Sequence, residues 1–373
     1  MGKTLEAQER NRVLLSGYDY AKYPAAITGY TGQDLQTVMT LRYHDAVRTR
    51  VGPRGNYKAG MTRLADGTLL IAVCRQEANP EDPAKRVFQI YVYESSDKGL
   101  TWREIAKPGI IGKEPSLTIL PDGGVLLTAQ HADFTKSVAE RGMHCSLSQD
   151  GGRTWELRRL ANKKYPRNVI VDKDGSLLFL RSTDAPRWNL ELCRSRDAGR
   201  NWTFAEGRVD WDEKDRSLFD EVSAIRLEDR TLLAALRREI PGSSGEGFED
   251  TMATRSDDDG KTWSRPTRMV RTAEVHVYLT ILADGRVLAT HSNYHLPYGV
   301  NAVLSEDGGR TWDLDHPILL ALSADLYVGW PVTLQLPDGS LITSYASTSY
   351  VKEPPDTTTC EVVRWRLPEP LRA

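Results

Sequence analysis

The chain has 373 residues, long for one ordinary domain but ordinary for a closed all-β array. With 40% hydrophobic and 27% charged residues it reads as a globular protein, and no apolar run approaches the roughly 20 residues of a membrane helix. A formal net charge of −2 gives no overall field to attract nucleic acid or an anionic membrane, so neither is expected as a partner.

In chain order, the first stretch, Met1 to Gln8, lacks the apolar segment of a signal peptide. The four cysteines, Cys74, Cys145, Cys193 and Cys360, include no close pair and no C-x-x-C, so neither disulfides nor a zinc site is expected. These features predict a reduced, cytoplasmic protein without metal or cofactor. Residues 1–36 read as an N-terminal extension, and 37–373 as a single repeat domain. Thr37 to Tyr43 alternates like a strand.

Two repeats then interleave. The first is an Asp-Gly turn between apolar runs, with its Asp at 66, 122, 174, 229, 284 and 338. This is the strongest short hairpin signal. The fourth copy has Arg230 in place of glycine, which predicts a distorted turn. The second repeat is S-x-D-x-G-x-T-W, starting at Ser95, Ser148, Ser195, Ser256 and Ser305, with Asn201 replacing one threonine. Its Ser and Asp hold a turn through backbone N–H groups, Gly permits positive φ, and Trp covers the hairpin. The acidic run Asp257-Asp258-Asp259 inside the fourth box reads as solvated charge.

Each unit therefore reads as four strands, with the fourth running from the Trp onward. A spacing of roughly fifty residues points to a solenoid or propeller. The expected fold is all-β: a six-bladed β-propeller of four-stranded antiparallel blades, closed by an N-terminal strand. The sixth unit lacks a box and a fourth strand, and the 37–43 segment is expected to supply that strand.

The alternation puts turns and boxes on one face, and first-strand heads, second-strand ends and long loops on the other. Counting back eight from each turn Asp gives the heads: Lys58, Glu114, Pro166 (then Arg167), Glu221, His276 and Trp330. Counting forward seven to nine gives the second-strand ends: Arg75, His131, Arg181, Arg237, His291 and Tyr345. All twelve are expected around one channel mouth. Arginines there would grip a carboxylate, Trp330 and Tyr327 would stack on a sugar face, and Glu114, Glu221 and the histidines would move protons. The loop Pro241 to Gly247 has the composition of a lid.

The boxes and blades resemble the sialidase (neuraminidase) superfamily, the BNR or Asp-box propellers, over roughly residues 55–366. The resemblance implies an arginine triad for a substrate carboxylate, a Tyr nucleophile with a Glu partner, and an Asp acid/base on a first-blade loop. Glu221 matches the Glu position and Arg237 the second arginine. Lys58 stands where the family has its first arginine, Asn301 where it has its third, and Trp330 where it has the nucleophilic Tyr. A Trp cannot serve as nucleophile; Tyr327 lies three residues away. On the acid/base loop lie Glu77, Glu81 and Asp82. The expected function is exo-glycoside hydrolysis at a terminal acidic sugar of an oligosaccharide or glycoconjugate. Lys58, Arg75, His131, Arg167, Arg181, Arg237, Trp330 and Tyr345 would bind substrate, and Glu221 or Glu114 would act as acid/base. One alternative is a polysaccharide lyase performing β-elimination at a uronate with His276, His291 or Tyr298. Another is a glycan-binding propeller without catalysis.

Overall fold

The hairpin chemistry acts locally as its residues require. Gly67 takes φ +93, its N–H bonds the Leu64 carbonyl at 3.0 Å, and the Leu64 N–H bonds the Thr68 carbonyl at 2.8 Å. The fourth turn keeps this form rather than distorting: Arg230 itself takes φ +73, and the matching bonds are 3.0 and 2.9 Å. A left-handed arginine costs on the order of 1–2 kcal/mol, and here it leaves the hairpin intact.

The structure is a computed structural model and describes residues 46–79, 82–131, 142–160, 166–183, 188–212, 217–239, 249–271, 274–294, 298–323, 328–348 and 358–367. Every described element is a strand. A first strand, β1 (Val47–Arg50), precedes blade 1, which is β2 (Asn56–Arg63), β3 (Leu69–Ala78), β4 (Arg86–Ser95) and β5 (Arg103–Ala106). Blade 2 is β6 (Gly112–Ile119), β7 (Val125–His131), β8 (Met143–Ser148) and β9 (Arg159–Leu160). Blade 3 is β10 (Ile170–Val171), β11 (Leu177–Ser182), β12 (Leu190–Ser195) and β13 (Thr203–Val209). Blade 4 is β14 (Leu218–Arg226), β15 (Leu232–Glu239), β16 (Glu249–Ser256) and β18 (Thr267–Arg268), with β17 (Thr262–Trp263) pairing in parallel with β13 of blade 3. Blade 5 is β19 (Glu274–Ile281), β20 (Val287–Asn293), β21 (Gly299–Ser305) and β22 (Ile318–Leu322). Blade 6 is β23 (Gly329–Gln335), β24 (Leu341–Thr348) and β25 (Thr358–Trp365), and β1 completes it by pairing with β25 from Val47↔Arg364 to Arg50↔Glu361.

An N-terminal strand therefore closes a six-bladed β-propeller, as the sequence predicts. The strand is Val47–Arg50; the 37–43 segment lies outside the described residues. Fourth strands β5 and β13 begin directly after their box Trp, whereas β9, β18 and β22 begin several residues later.

The boxes are turn locks. In each, the Ser hydroxyl accepts the Gly N–H at 2.7–2.9 Å and donates to the Asp at 2.7–2.8 Å. The other Asp oxygen takes the Thr hydroxyl at 2.6 Å, and Asn201 fills that role through its amide at 2.6 Å. The acidic run of the fourth box is not merely solvated. Asp258 is the locking residue, Asp257 accepts from Thr231 at 2.8 Å, and Asp259 bridges Arg194 at 2.6 Å and Arg226 at 2.5 Å.

Six apolar clusters sit one at each blade junction. The run Leu232-Leu233-Ala234-Ala235-Leu236 shows why second strands are continuously apolar. Leu232, Ala234 and Leu236 pack toward blade 3, and Leu233 and Ala235 toward blade 5. A strand buried on both faces has no polar side to alternate with.

Candidate active site at the channel mouth

Five of the six counted first-strand heads share one unusual backbone state. Lys58, Glu114, Glu221, His276 and Trp330 have φ of +40, +54, +48, +56 and +48. Each sits where its strand pairing shifts register, between Tyr57/Ala59, Lys113/Ser116, Asp220/Ser223, Val275/Tyr278 and Gly329/Val332. A regular strand would aim alternate side chains at the two neighbouring blades; a bulge re-aims one of them. Left-handed non-glycine residues cost on the order of 1–3 kcal/mol each, and their repetition at equivalent places marks a shared purpose.

These heads meet across blades. Lys58 of blade 1 pairs with Glu114 of blade 2, and its ammonium lies 3.8 Å over the Trp330 ring of blade 6. Trp330 stacks on His276 of blade 5 with centroids 4.3 Å apart. His276 Nε2 lies 3.3 Å from Glu221 Oε2 of blade 4, and Arg237 donates to Glu221 Oε1 at 3.2 Å. Arg237 also pairs with Glu239. The space left between Lys58, Glu114, Arg167 and Trp330 is about 10 Å³, room for about one water, so the mouth has a closed floor.

Burial is the main force on His276, which is 3% exposed. Burial first, then the charges of Arg237, Arg167 and Lys58, hold its imidazole well below the usual range, so the ring is neutral at pH 7. Nδ1 lies 2.9 Å from Ser292 Oγ and 3.3 Å from the Tyr294 hydroxyl. Nε2 faces a carboxylate, an acceptor only, so the single ring proton belongs on Nε2. That contact is close but lacks hydrogen-bond alignment, as is common before substrate binds. Ser292 is itself held by Gly329. A Cβ on Gly329, at φ +124, would sit 1.6 Å from Ser292 Oγ.

The sixth head differs. Pro166 is buried, and Arg167 extends from blade 3 to bond the carbonyls of His276 in blade 5 and Pro331 in blade 6, both at 3.3 Å. Blade 6 stands opposite blade 3 in a ring of six, so this side chain spans the axis.

The second-strand ends mostly lie elsewhere, and the twelve-membered mouth divides in two. Arg75 lies 3.7 Å over the Tyr91 ring and 3.3 Å from Glu77, and Arg181 pairs with Glu191. His131 Nδ1 meets His144 Nε2 at 3.0 Å, and the fully buried Tyr345 donates to Glu361 at 2.6 Å. Apart from Glu77, which lies on β3 beside Arg75, each of these partners is on the third strand of the same blade, because a second strand sits one strand out from the axis. Arg237 is the exception, since it also reaches the bulged Glu221. His291 is fully buried, opposite Asn301 in the β20–β21 register, and its Nε2 has no hydrogen-bond partner. Tyr298 packs against the blade 5–6 core. On the acid/base loop, Glu77 is taken by Arg75, Tyr91 and Lys107, and Asp82 pairs with Lys85 at 3.0 Å. Tyr327, Glu81 and the 241–247 loop lie outside the described residues.

Two residues of the floor carried no distinguishing sequence signal. Tyr294 and Ser292 lie just past the counted position on β20, and only the His276 bulge brings the ring to them. Among the described residues no group of three His, Cys, Asp or Glu is placed to hold a metal. A cleft of 550 Å³ opens instead at the rim of blades 3 and 4, beside Arg208, Trp211 and Trp263. Its Asn189, Thr262 and Trp263 polar atoms are bonded within the fold, and none of the six first-strand heads lines it.

A model of the BNR repeat-like domain matches residues 44–207. A search of curated proteins found no match. A protein of unknown function from Dyadobacter fermentans superposes with a TM-score of 0.68 at 20% identity, covering 87% of this chain and 99% of that one. The α-L-arabinofuranosidase Arb93A of Fusarium graminearum gives 0.63 at 16% identity, with 88% and 99% covered. The NanB sialidase of Streptococcus pneumoniae gives 0.61 at 12% identity, with 91% and 73% covered. The chain is thus a six-bladed β-propeller with BNR repeat-like sequence over residues 44–207, sharing its fold with the NanB sialidase and with the α-L-arabinofuranosidase Arb93A.

Proposed function

We propose that the protein hydrolyses the glycosidic bond of a terminal sugar seated on this floor. The carrying observation is the unbroken contact path Glu114–Lys58–Trp330–His276–Glu221–Arg237, whose first five members are left-handed residues of five blades. Two carboxylates flank an aromatic surface, the set that glycoside hydrolysis uses for proton transfer and for stabilising positive charge at the anomeric carbon. A closed floor admits the end of a chain and not its middle, which favours exo action.

An acid group on the terminal sugar is the finer part of the reading. Lys58 and Arg237 are the cations that would take it, each already beside a carboxylate, while Arg75 is held on Tyr91. The test is a panel of terminal glycosides, acidic and neutral. Cleavage of the acidic members, with losses of about a hundredfold or more in Glu221→Gln and Glu114→Gln, supports the reading. Cleavage of neutral members alone removes the acidic part. Binding without product identifies a glycan-binding propeller.

The neutral His276 beside the Tyr294 hydroxyl favours one second reading, β-elimination at a uronate. There this pair, rather than His291 or Tyr298, would handle the proton. An unsaturated, ultraviolet-absorbing product separates it from hydrolysis.

A further inference from the structure

Blade 3 begins differently from the others. Its first strand has 2 residues, against 7 to 9 in the other five blades. Pro166 cannot donate a ladder bond, and the side chains after it do the work of a strand. Asn168 donates to the Ala224 carbonyl at 2.7 Å and accepts its N–H at 3.0 Å, fixing the segment to β14 three residues beyond Glu221. Anchored there, Arg167 sends its guanidinium across the axis to the carbonyls of His276 and Pro331. Both carbonyls lie inside bulges, where the strand ladder is interrupted.

We infer that Arg167 is a positioning residue: it holds His276 and the Trp330–Pro331 turn in their left-handed arrangement and closes the channel beneath the substrate. In this role it is a scaffold and not the ligand of a substrate acid group, because its Nη2 already serves two carbonyls. A planar guanidinium suits this task, since its donors are fixed in a fork, whereas a lysine ammonium is a single point. The link to catalysis rests on the glycosidase reading; the link to His276 does not.

Two readouts separate the two. The first is NMR titration of the His276 ring, assigned with His276→Gln, in Arg167→Met and Arg167→Lys. The inference expects the His276 midpoint to rise in Arg167→Met, where a positive neighbour and a backbone anchor are both lost, and to recover only partly in Arg167→Lys. An unchanged midpoint in Arg167→Met overturns it, even if the parent cleaves no glycoside and the hydrolase reading has failed. The second is steady-state kinetics on a glycoside that the parent cleaves. Misplacing a catalytic group by about 1 Å costs on the order of a hundredfold, so kcat is expected to fall ten- to a hundredfold with KM within about threefold, alike for acidic and neutral sugars. A rise in KM confined to acidic sugars, with kcat intact, overturns the inference and makes Arg167 a substrate ligand. Where Arg167→Met fails to fold, Arg167→Lys decides: a loss in kcat supports the inference, and wild-type kcat overturns it.

Discussion

Gly329→Ala tests whether the floor is held as tightly as its contacts imply. Gly329 has φ +124, where side-chain-bearing residues are strained, at a cost of about 1–3 kcal/mol. The new methyl would lie 1.6 Å from Ser292 Oγ and 2.6 Å from Ser292 Cβ, so Ser292 must move. Moving it breaks the 2.9 Å contact to His276 Nδ1 in a fully buried place, which adds about 1–3 kcal/mol. The sum, about 2–6 kcal/mol, is a large part of the 5–15 kcal/mol that holds a typical domain. Urea unfolding followed by circular dichroism gives the number, with an unchanged slope showing that the loss belongs to the native state. The double variant Gly329→Ala/Ser292→Gly should recover part of it, with a coupling of about 1–3 kcal/mol. A loss below about 1 kcal/mol, or no coupling, would refute the packing argument.

Lys58→Met should destabilise by about 3–5 kcal/mol, because it strands the Glu114 carboxylate at a site where both side chains are about nine-tenths buried; adding Glu114→Gln should restore much of the denaturant midpoint. In the glycosidase assay, Trp330→Ala should lower kcat by about tenfold or more, because it removes the ring against which Lys58 and His276 are placed. Acid should destabilise the protein in two pH windows. His276 and His144 are held below their ordinary 6.5, His144 down to about 4 by burial and then by His131. The unfolded chain therefore binds more protons, and stability falls as pH drops from 6.5 toward 4. The box aspartates Asp97, Asp150, Asp258 and Asp307 are lowered to about 2, despite the opposing effect of burial, by bonds from their Thr and Ser partners. Their contribution is present above 3.8 and is lost as pH falls through 2. Stability curves of His144→Gln should be flatter in the first window and unchanged in the second.

Spacing carried the fold, because each box and each Asp-Gly turn fixes its own backbone without help from distant residues. Counting also found Lys58, Glu114, Glu221, His276 and Trp330, since an equal offset from an equal turn lands on an equal bulge. It failed one strand further out. Arg75, Arg181 and Tyr345 lie nine, seven and seven residues past their turn Asp, all in one phase of the strand, and a period of two sends such side chains along the blade to Tyr91, Glu191 and Glu361. Tyr294 and Ser292 were invisible for the opposite reason. Their role depends on where the bulged His276 ring turns, and no local pattern records that. Pro166 broke the pattern openly, yet only the structure shows the arginine behind it crossing the axis.

The pairing of Val47–Arg50 with Glu361–Arg364 gives the ring a seam at which the first and last strands latch. During synthesis, β1 emerges early and waits while five blades form and stack, until β25 offers its outer edge. Contacts so distant along the chain are slow to form. A ring that fastens by its own ends should therefore open from that latch, so clipping a few residues near Val47 would threaten all six blades and not just one.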